Sequence, residues 1–119
     1  MGKTSYNIEI DLNYSQFIEA VVETDFITIN KNWLKLKGLH VVYFLLKDDV
    51  LLYIGCTSDV ATRLLSHKSS KEFNKVILIE CDERTNAFKI EKYFIKKYKP
   101  HYNCTERTYF KTRKHETNN

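Results

Sequence analysis

Two phenols, a guanidinium and an imidazole stand close together in the chain, in Tyr43, Tyr53, Arg63 and His67. A guanidinium binds the oxygens of phosphate or carboxylate groups through its planar fork. A phenol, with an ordinary pKa of about 10, accepts a proton at neutral pH only where nearby positive charge lowers that pKa. These four groups therefore indicate proton transfer at an anionic substrate, provided that the fold brings them together.

The local pattern predicts that both tyrosines lie in a β-hairpin. Residues 41–46 and 50–54 are nearly continuous apolar runs rich in β-branched and aromatic residues, and the polar residues 47–49 between them favour a turn. With a three-residue loop, Tyr43 lies directly opposite Tyr53 on one face, whereas a two-residue loop places them on opposite faces. A shared face for the two phenols is therefore a prediction about the turn.

A helix is predicted to follow the hairpin and to supply the other two groups. Thr57, Ser58 and Asp59 offer oxygens that suit a helix N-cap. Arg63 and His67 are four residues apart, so they share one face of that helix. The two phenols, the guanidinium and the imidazole can then converge.

Further along, the chain predicts a third strand and then a long helix with a carboxylate on its apolar side. The strand covers residues 75–80, and the helix runs from Ala87 to about Tyr98, opened by Thr85 or Asn86 and ended by Pro100. Glu91 falls on the apolar stripe, where a carboxylate is costly unless it is paired, protonated or bound to a metal. A salt bridge to Arg63 and a metal site both remain open.

The first forty residues are predicted to form short elements. Alternation over residues 6–12 indicates a strand, and helical spacing of apolar residues over 17–22 indicates a short amphipathic helix. Residues 26–29 form another brief β-like run. Residues 30–39 alternate lysine with apolar residues around Trp33, which favours a strand with a solvent-facing side over a nucleic-acid contact through a stacking aromatic.

The composition describes one folded domain with a basic end. Of 119 residues, 43% are hydrophobic and 13% aromatic, which argues against disorder. Residues 84–119 hold ten lysine and arginine residues and three acidic ones. A solvated helix face and a phosphate-binding surface both explain such a run, and the phenols and arginine upstream favour nucleic acid. The residues that we select for this contact are Lys92, Lys96, Lys97, Lys99, Arg107 and Lys111.

The same composition bears on location. No apolar run reaches the length of about 18 residues that a membrane span needs, and no secretory signal pattern follows Met1. The three cysteines, Cys56, Cys81 and Cys104, form no C-x-x-C pair and leave one thiol odd, which suits a reducing compartment. We therefore expect an intracellular protein without a membrane partner.

The central stretch resembles the GIY-YIG nuclease family, and the resemblance extends over residues 41–103. Tyr53-Ile54-Gly55 matches the second family motif letter for letter, and Tyr43 stands where the first motif ends, ten residues earlier. The departure is Val41-Val42-Tyr43 in place of Gly-Ile-Tyr, which removes a glycine but no chemical group.

Other residues extend the resemblance. Arg63 and His67 are similar to the family's helix with its arginine, and Glu91 falls where the family carries its single metal-binding glutamate. Asn103 matches the asparagine that ties the chain back to the site, and Gly55 is expected to support the site. The resemblance implies that Tyr43, rather than His67, activates water.

The resemblance also implies a fold and an activity. The fold is α+β, a small, mainly antiparallel three-stranded central sheet flanked by helices, with an added N-terminal strand and helix. The activity is that of a DNA endonuclease that uses one divalent cation, Mg²⁺, for which Mn²⁺ would substitute. Tyr53 or His67 would assist water activation, His67 by orienting Tyr43 or by binding phosphate, and Arg63 would bind the phosphate. The alternative is a catalytically inactive module of the same fold that binds nucleic acid or recruits a partner.

We expect three regions in the chain. Residues 1–40 would be an N-terminal extension packed on the core, residues 41–104 the nuclease-like core, and residues 105–119 a basic C-terminal tail. The expected substrate is double-stranded or branched DNA. Because a single site cuts one strand, double-strand cleavage would require a homodimer, a partner protein or two encounters.

Overall fold

The computed structural model describes residues 6–103. Its elements in chain order are α1 (Leu12–Ser15), β1 (Ile18–Thr24), α2 (Phe26–Lys31), α3 (Trp33–Leu36), β2 (His40–Lys47), β3 (Val50–Thr57), α4 (Val60–Lys68), β4 (Lys75–Cys81) and α5 (Arg84–Tyr98). Among residues 6–103, no helix combines the length and the apolar character that crossing a bilayer would require.

The strands form one sheet in the order β1-β4-β2-β3, with every neighbouring pair antiparallel. The predicted α+β class, an antiparallel sheet flanked by helices, is confirmed. The predicted number of three strands is wrong, because β1 pairs with β4 and adds a fourth. β2 lies inside the sheet, between β4 and β3, so that Tyr43 at its centre is only 1% exposed.

The turn of the central hairpin is shorter than predicted. Asp48 and Asp49 both adopt the left-handed backbone region, with φ of 49° and 65°, and Lys47 pairs with Val50. A two-residue turn of this kind matches the twist of the strands that it joins. The three-residue loop is therefore wrong.

A β-bulge restores the arrangement that the shorter turn would have lost. The pairing register shifts between Leu45 and Leu46, which leaves one extra residue in β3. As a result Tyr43 pairs with Gly55, and Leu45 pairs with Tyr53. The predicted direct pairing of the two tyrosines is wrong, but the prediction that they share a face is confirmed, because the bulge compensates for the shorter turn.

Apolar layers cover both faces of the sheet. On one face, α5 and the N-terminal segment pack over a core that includes Phe44 and Phe94. On the other face, α2 and α4 pack over a core that includes Ile29, Tyr43 and Leu64. Covering on both faces explains why β2 and β4 are nearly continuous apolar runs.

Two N-terminal segments have the opposite secondary structure from the prediction. The helix predicted over residues 17–22 is wrong, because residues from Ile18 onward pair with β4, a partner far away in sequence. The brief strand predicted over residues 26–29 is also wrong. Asp25 is the N-cap of α2, where its carboxylate accepts a hydrogen bond from the Thr28 backbone N–H at 2.8 Å, and this cap outweighs the β-branched residues that follow.

The other two N-terminal strand predictions are wrong as well. Residues 30–39 contain the end of α2 and all of α3. Residues 6–11 are irregular, although Tyr6, Ile8 and Ile10 pack against the core beneath α5. The alternation in this segment therefore identified three partly buried side chains, but it failed for Leu12, which is 86% exposed, and for the backbone structure.

The remaining predicted elements are confirmed, with one shifted boundary. α4 follows Asp59, and β4 covers the predicted strand. α5 begins at Arg84, so the proposed caps Thr85 and Asn86 lie inside its first turn. Lys99 ends α5 in the left-handed conformation, with φ of 48°, directly before Pro100.

Phe94 offers a test of the packing that holds α5 on the sheet. Its side chain is fully buried, and its ring centroid lies 5.2 Å from that of Phe44. We expect Phe94→Ala to lower the free energy of unfolding by about 3–5 kcal/mol, measured by denaturant unfolding. Phe88→Ala is the matched control on the same helix, because Phe88 is 42% exposed and should cost much less. Equal losses in the two variants would contradict this packing.

Candidate active site

Tyr43, Tyr53 and His67 form one cluster on the sheet face that α4 covers. The Tyr43 hydroxyl and His67 Nε2 are 2.9 Å apart and share a hydrogen bond. The ring centroid of Tyr53 lies 4.6 Å from that of His67 and 6.0 Å from that of Tyr43. His67 is buried on the inner face of α4. The fold therefore brings together the two phenols and the imidazole that the sequence selected.

Gly55 lets the two phenols pack directly over β3. A Cβ atom at this position would lie 2.5 Å from the Tyr43 hydroxyl oxygen and 2.9 Å from Tyr53 Cε2. Both distances are shorter than van der Waals contact, and both neighbours belong to rigid rings. The glycine is thus required by space, and the cross-strand pairing of Tyr43 with Gly55 is the reason.

Asn103 fixes the backbone of the same motif from the other side. Its side-chain Oδ1 accepts a hydrogen bond from the Ile54 backbone N–H, and its Nδ2 donates to the Ile54 carbonyl, each at 2.7 Å. β3 is an edge strand, so these two groups of Ile54 face away from β2 and need a partner. The buried amide of Asn103 supplies it and holds the residue between Tyr53 and Gly55.

Glu91 approaches the hairpin from α5. It is partly buried, and the Cys56 thiol donates a hydrogen bond to its Oε1 at 3.4 Å. Burial is the main cause that raises the pKa of the Glu91 carboxyl, and the hydrogen bond from Cys56 and then the charges of Lys92 and Arg63 partly oppose it. Burial and the neighbouring carboxylate raise the pKa of the Cys56 thiol to about 12, so the thiol stays protonated.

Arg63 stands in the first turn of α4 with an exposed side chain. Among residues 6–103, no ion pair within 4.0 Å joins it to Glu91. Its charge nevertheless lowers the pKa of the Glu91 carboxyl and of the Tyr43 phenol. The salt bridge that would explain Glu91 is therefore not formed, and Arg63 acts on the carboxyl only through its charge.

The pKa of the Tyr43 phenol is raised well above its ordinary value. Burial is the largest cause, followed by Tyr53, while Arg63 opposes the shift and Glu91 adds to it. The protein alone therefore keeps this phenol neutral at pH 7, and proton transfer from it needs an acceptor or additional positive charge. His67 Nε2, 2.9 Å from the Tyr43 hydroxyl, is such an acceptor in the tautomer that carries its proton on Nδ1.

The basic residues predicted to contact nucleic acid do not all lie on one surface. Lys92 and Lys96 are exposed and line a groove with Glu91. Lys97 instead forms an ion pair with Glu9 at 3.2 Å, on the side where the N-terminal segment packs. Lys99 is exposed at the end of α5. The two remaining selected residues, Arg107 and Lys111, lie outside the described residues.

Several side chains near the site were missed by the reasoning from sequence. Cys56 contacts Glu91, and His40 and Arg84 line a pocket that also includes Arg63. Lys71 is buried, with its Nζ 5.0 Å from the ring centroid of Tyr53. The sequence indicated a place near the site only for His40 and Cys56, because His40 precedes the first predicted strand and Cys56 follows Gly55. The positions of Arg84 and Lys71 depend on tertiary packing.

The family model of the GIY-YIG catalytic domain matches residues 39–103, which is more than half of the chain. The chain belongs to the GIY-YIG family. This is a nuclease family, and the matched GIY-YIG segment contains every candidate site residue from Tyr43 to Asn103. A comparison with curated proteins gives no match.

Solved GIY-YIG structures resemble the chain. One is the crystal structure of the GIY-YIG N-terminal endonuclease domain of UvrC from Thermotoga maritima, bound to its catalytic divalent cation, magnesium. It is 26% identical, with a TM-score of 0.51, and the match covers 63% of this chain and 94% of that domain. An asparagine-to-alanine point mutant of the same domain, also bound to its catalytic divalent cation, matches at 26% identity with a TM-score of 0.51, over 63% of this chain and 93% of that one.

The contact between Tyr43 and the glycine of the GIY-YIG motif can be tested by a double-mutant cycle. We expect Gly55→Ala to lower the free energy of unfolding by about 1–3 kcal/mol, because the added methyl group displaces both rings. In a Tyr43→Leu background the same change should cost less, since one of the two clashes is gone. Denaturant unfolding of the four proteins gives the coupling energy. Additive losses would show that the two residues do not conflict.

The raised pKa of Glu91 predicts a pH-dependent effect on stability. A carboxyl whose pKa is higher in the folded state than in the unfolded chain lowers the stability of the fold when it is ionised. This loss of stability disappears as the pH falls to the pKa of the carboxyl in the unfolded chain, which is about 4.3. We expect Glu91→Gln to raise the melting temperature at pH 7 and to lose this advantage near pH 4. Thermal unfolding should be followed in a chelator, with Glu19→Gln as the exposed control. A gain independent of pH would contradict the burial of this charge.

Proposed function

We propose that the protein is a metal-dependent DNA endonuclease that hydrolyses phosphodiester bonds with a single divalent cation. The observation that carries the proposal is the Tyr43–His67 hydrogen bond, formed where the charges of both Arg63 and Glu91 act on the phenol. A proton-transferring pair, a guanidinium and a carboxylate are the groups that such a hydrolysis needs from the protein. An intracellular location is part of the same proposal.

Glu91 is the residue that would hold the cation. It is partly buried with a raised pKa, so a bound positive charge would relieve the cost of ionising it. Among residues 6–103, no cluster of three or more His, Cys, Asp or Glu side chains is present that could form a many-liganded site. A single carboxylate suits Mg²⁺, which keeps several waters and binds substrate phosphate, and Mn²⁺ would substitute. Once bound, the cation would stabilise the charge that develops on the phosphate and on the leaving oxygen.

Arg63 would bind the non-bridging oxygens of the scissile phosphate. Its side chain is exposed on the first turn of α4, and among residues 6–103 no carboxylate pairs with it within 4.0 Å. The planar guanidinium can donate two parallel hydrogen bonds to such oxygens. This contact strengthens as negative charge grows on the phosphate in the transition state.

Tyr43 and His67 together would activate the attacking water. The Tyr43 hydroxyl takes the proton of the water and passes its own proton to His67 Nε2, which already shares its hydrogen bond. The water oxygen then forms a bond to phosphorus, and the bond from phosphorus to the leaving 3′ oxygen breaks. Because the pKa of Tyr43 is raised, a neutral phenol that relays a proton fits the site better than a permanent phenolate.

The Lys92 and Lys96 face is proposed to contact the DNA beside Glu91. Both lysines are exposed and flank the groove that leads to the carboxylate. A single site of this kind cuts one strand, so we propose that double-strand cleavage requires a second protomer or a partner protein.

Plasmid nicking tests the activity. We expect the protein to convert supercoiled DNA to open circles with Mg²⁺ or Mn²⁺ and to lose this activity in a chelator. Glu91→Gln and Arg63→Gln should each reduce the rate at least about 100-fold, because each removes a group that acts on the developing charge. Lys47→Gln, at the far end of β2, is the charge-matched control and should nick at the parental rate.

The same experiment separates the enzyme from the catalytically inactive alternative. DNA retention by the parent without nicking would support a binding module, and we expect Glu91→Gln to retain DNA even though it does not cut. Nicking that persists in Glu91→Gln would overturn the assignment of the carboxylate.

A further inference from the structure

A polar pocket adjoins the candidate active site but contains none of the tyrosines. It has a volume of about 260 Å³, and its lining includes His40, Cys56, Thr57, Ser58, Arg63 and Arg84, with two apolar residues from α5. Arg63 and Cys56 belong to both places, since Arg63 acts on Tyr43 and Cys56 contacts Glu91. The pocket therefore lies directly beside the reacting groups and is a separate space.

The fold brings two guanidinium groups, those of Arg63 and Arg84, to this pocket. His40 begins β2, Thr57 ends β3 and Arg84 follows the end of β4, and the antiparallel order brings these three points to one end of the sheet. α4 and α5 also begin there, and neither N-cap residue caps its helix with a side-chain hydrogen bond. The positive ends of both helix dipoles add to the charge of the guanidinium groups, and the N-cap carboxylates of Asp59 and Glu83 offset part of that charge.

The two arginines of the pocket are available to a ligand. Within the described part of the chain, neither Arg63 nor Arg84 forms an ion pair with a carboxylate within 4.0 Å. The guanidinium carbon of Arg84 lies 5.3 Å from the ring centroid of Phe88, one turn later on α5. This distance allows a cation–π contact between two residues that both line the pocket, and such a contact still allows guanidinium N–H groups to bind an anion.

We infer that this pocket binds a second phosphate of the nucleic-acid strand, adjacent to the one that is cut, with Arg84 as its principal contact. The inference rests on the proposed function and adds to it the preferred substrate, which is a strand with two successive phosphodiesters. Arg63 lies between the two phosphates and so fixes their relative position. Arg84 touches no reacting atom and is a positioning residue.

Substrates of different length test this directly. We expect Arg84→Gln to lower kcat/KM about tenfold on an oligonucleotide, through KM and with kcat unchanged, because one charge-assisted phosphate contact is lost. Hydrolysis of thymidine 5′-(p-nitrophenyl phosphate), which has one phosphodiester, should not change, since it does not reach the pocket. Arg84→Lys should recover part of the loss, and Lys47→Gln, about 23 Å away along β2, should match the parent.

Binding measured without cleavage keeps this test independent of activity. In a Glu91→Gln background, the affinity for a fluorescent single-stranded oligonucleotide is measured against salt concentration. Arg84→Gln should reduce the slope of log affinity against log salt by about 0.7, the value for one phosphate contact on a single strand. An unchanged slope together with an unchanged KM would overturn the inference and leave the proposed function intact. If the slope is reduced but the unsubstituted protein cuts no DNA, the phosphate pocket is supported and the proposed function is overturned.

Discussion

The close approach of the Tyr43 ring to Gly55 is the constraint on which the candidate site depends. The ring can lie across β3 only where that strand has no side chain, and a Cβ at this point would be 2.6 Å from Tyr43 Cζ. The bulge in β3 brings the glycine opposite the tyrosine, and the Asn103 amide then holds the neighbouring backbone of Ile54. A turn, a bulge, a glycine and a distant asparagine thus cooperate to place one phenol against His67.

Burial shifts the pKa values of the site residues more than their attraction to neighbouring charges does. Burial is the largest cause of the raised pKa values of Tyr43, Cys56 and Glu91, and Arg63 is the charge that opposes the shift in all three. Such a site destabilises the negatively charged forms of its own groups. A bound cation, or a ligand that brings one, would stabilise those forms. A cost in stability of this kind is common where function requires a charge to be held out of water.

The sequence predicted the parts of the structure that local pattern controls. The hairpin, α4, β4 and α5 follow from their apolar patterns, and the apolar stripe of α5 correctly placed Glu91 toward the core. The N-terminal elements were predicted wrongly for two reasons. Pairing with β4 makes residues 18–24 a strand, and the N-cap at Asp25 makes the residues after it a helix. The bulge has no sequence signal, and the pocket around Arg84 exists only because three strand ends meet.

The order of the site residues along the chain has a consequence for synthesis. The tyrosines, Arg63 and His67 leave the ribosome first, whereas Glu91 and Asn103 follow β4 and arrive much later. A polypeptide interrupted before α5 carries the phenols but has neither the carboxylate nor the amide that secures Ile54. Such a polypeptide lacks the carboxylate that approaches the hairpin, so the candidate site is complete only after α5 and Asn103 have folded onto the sheet.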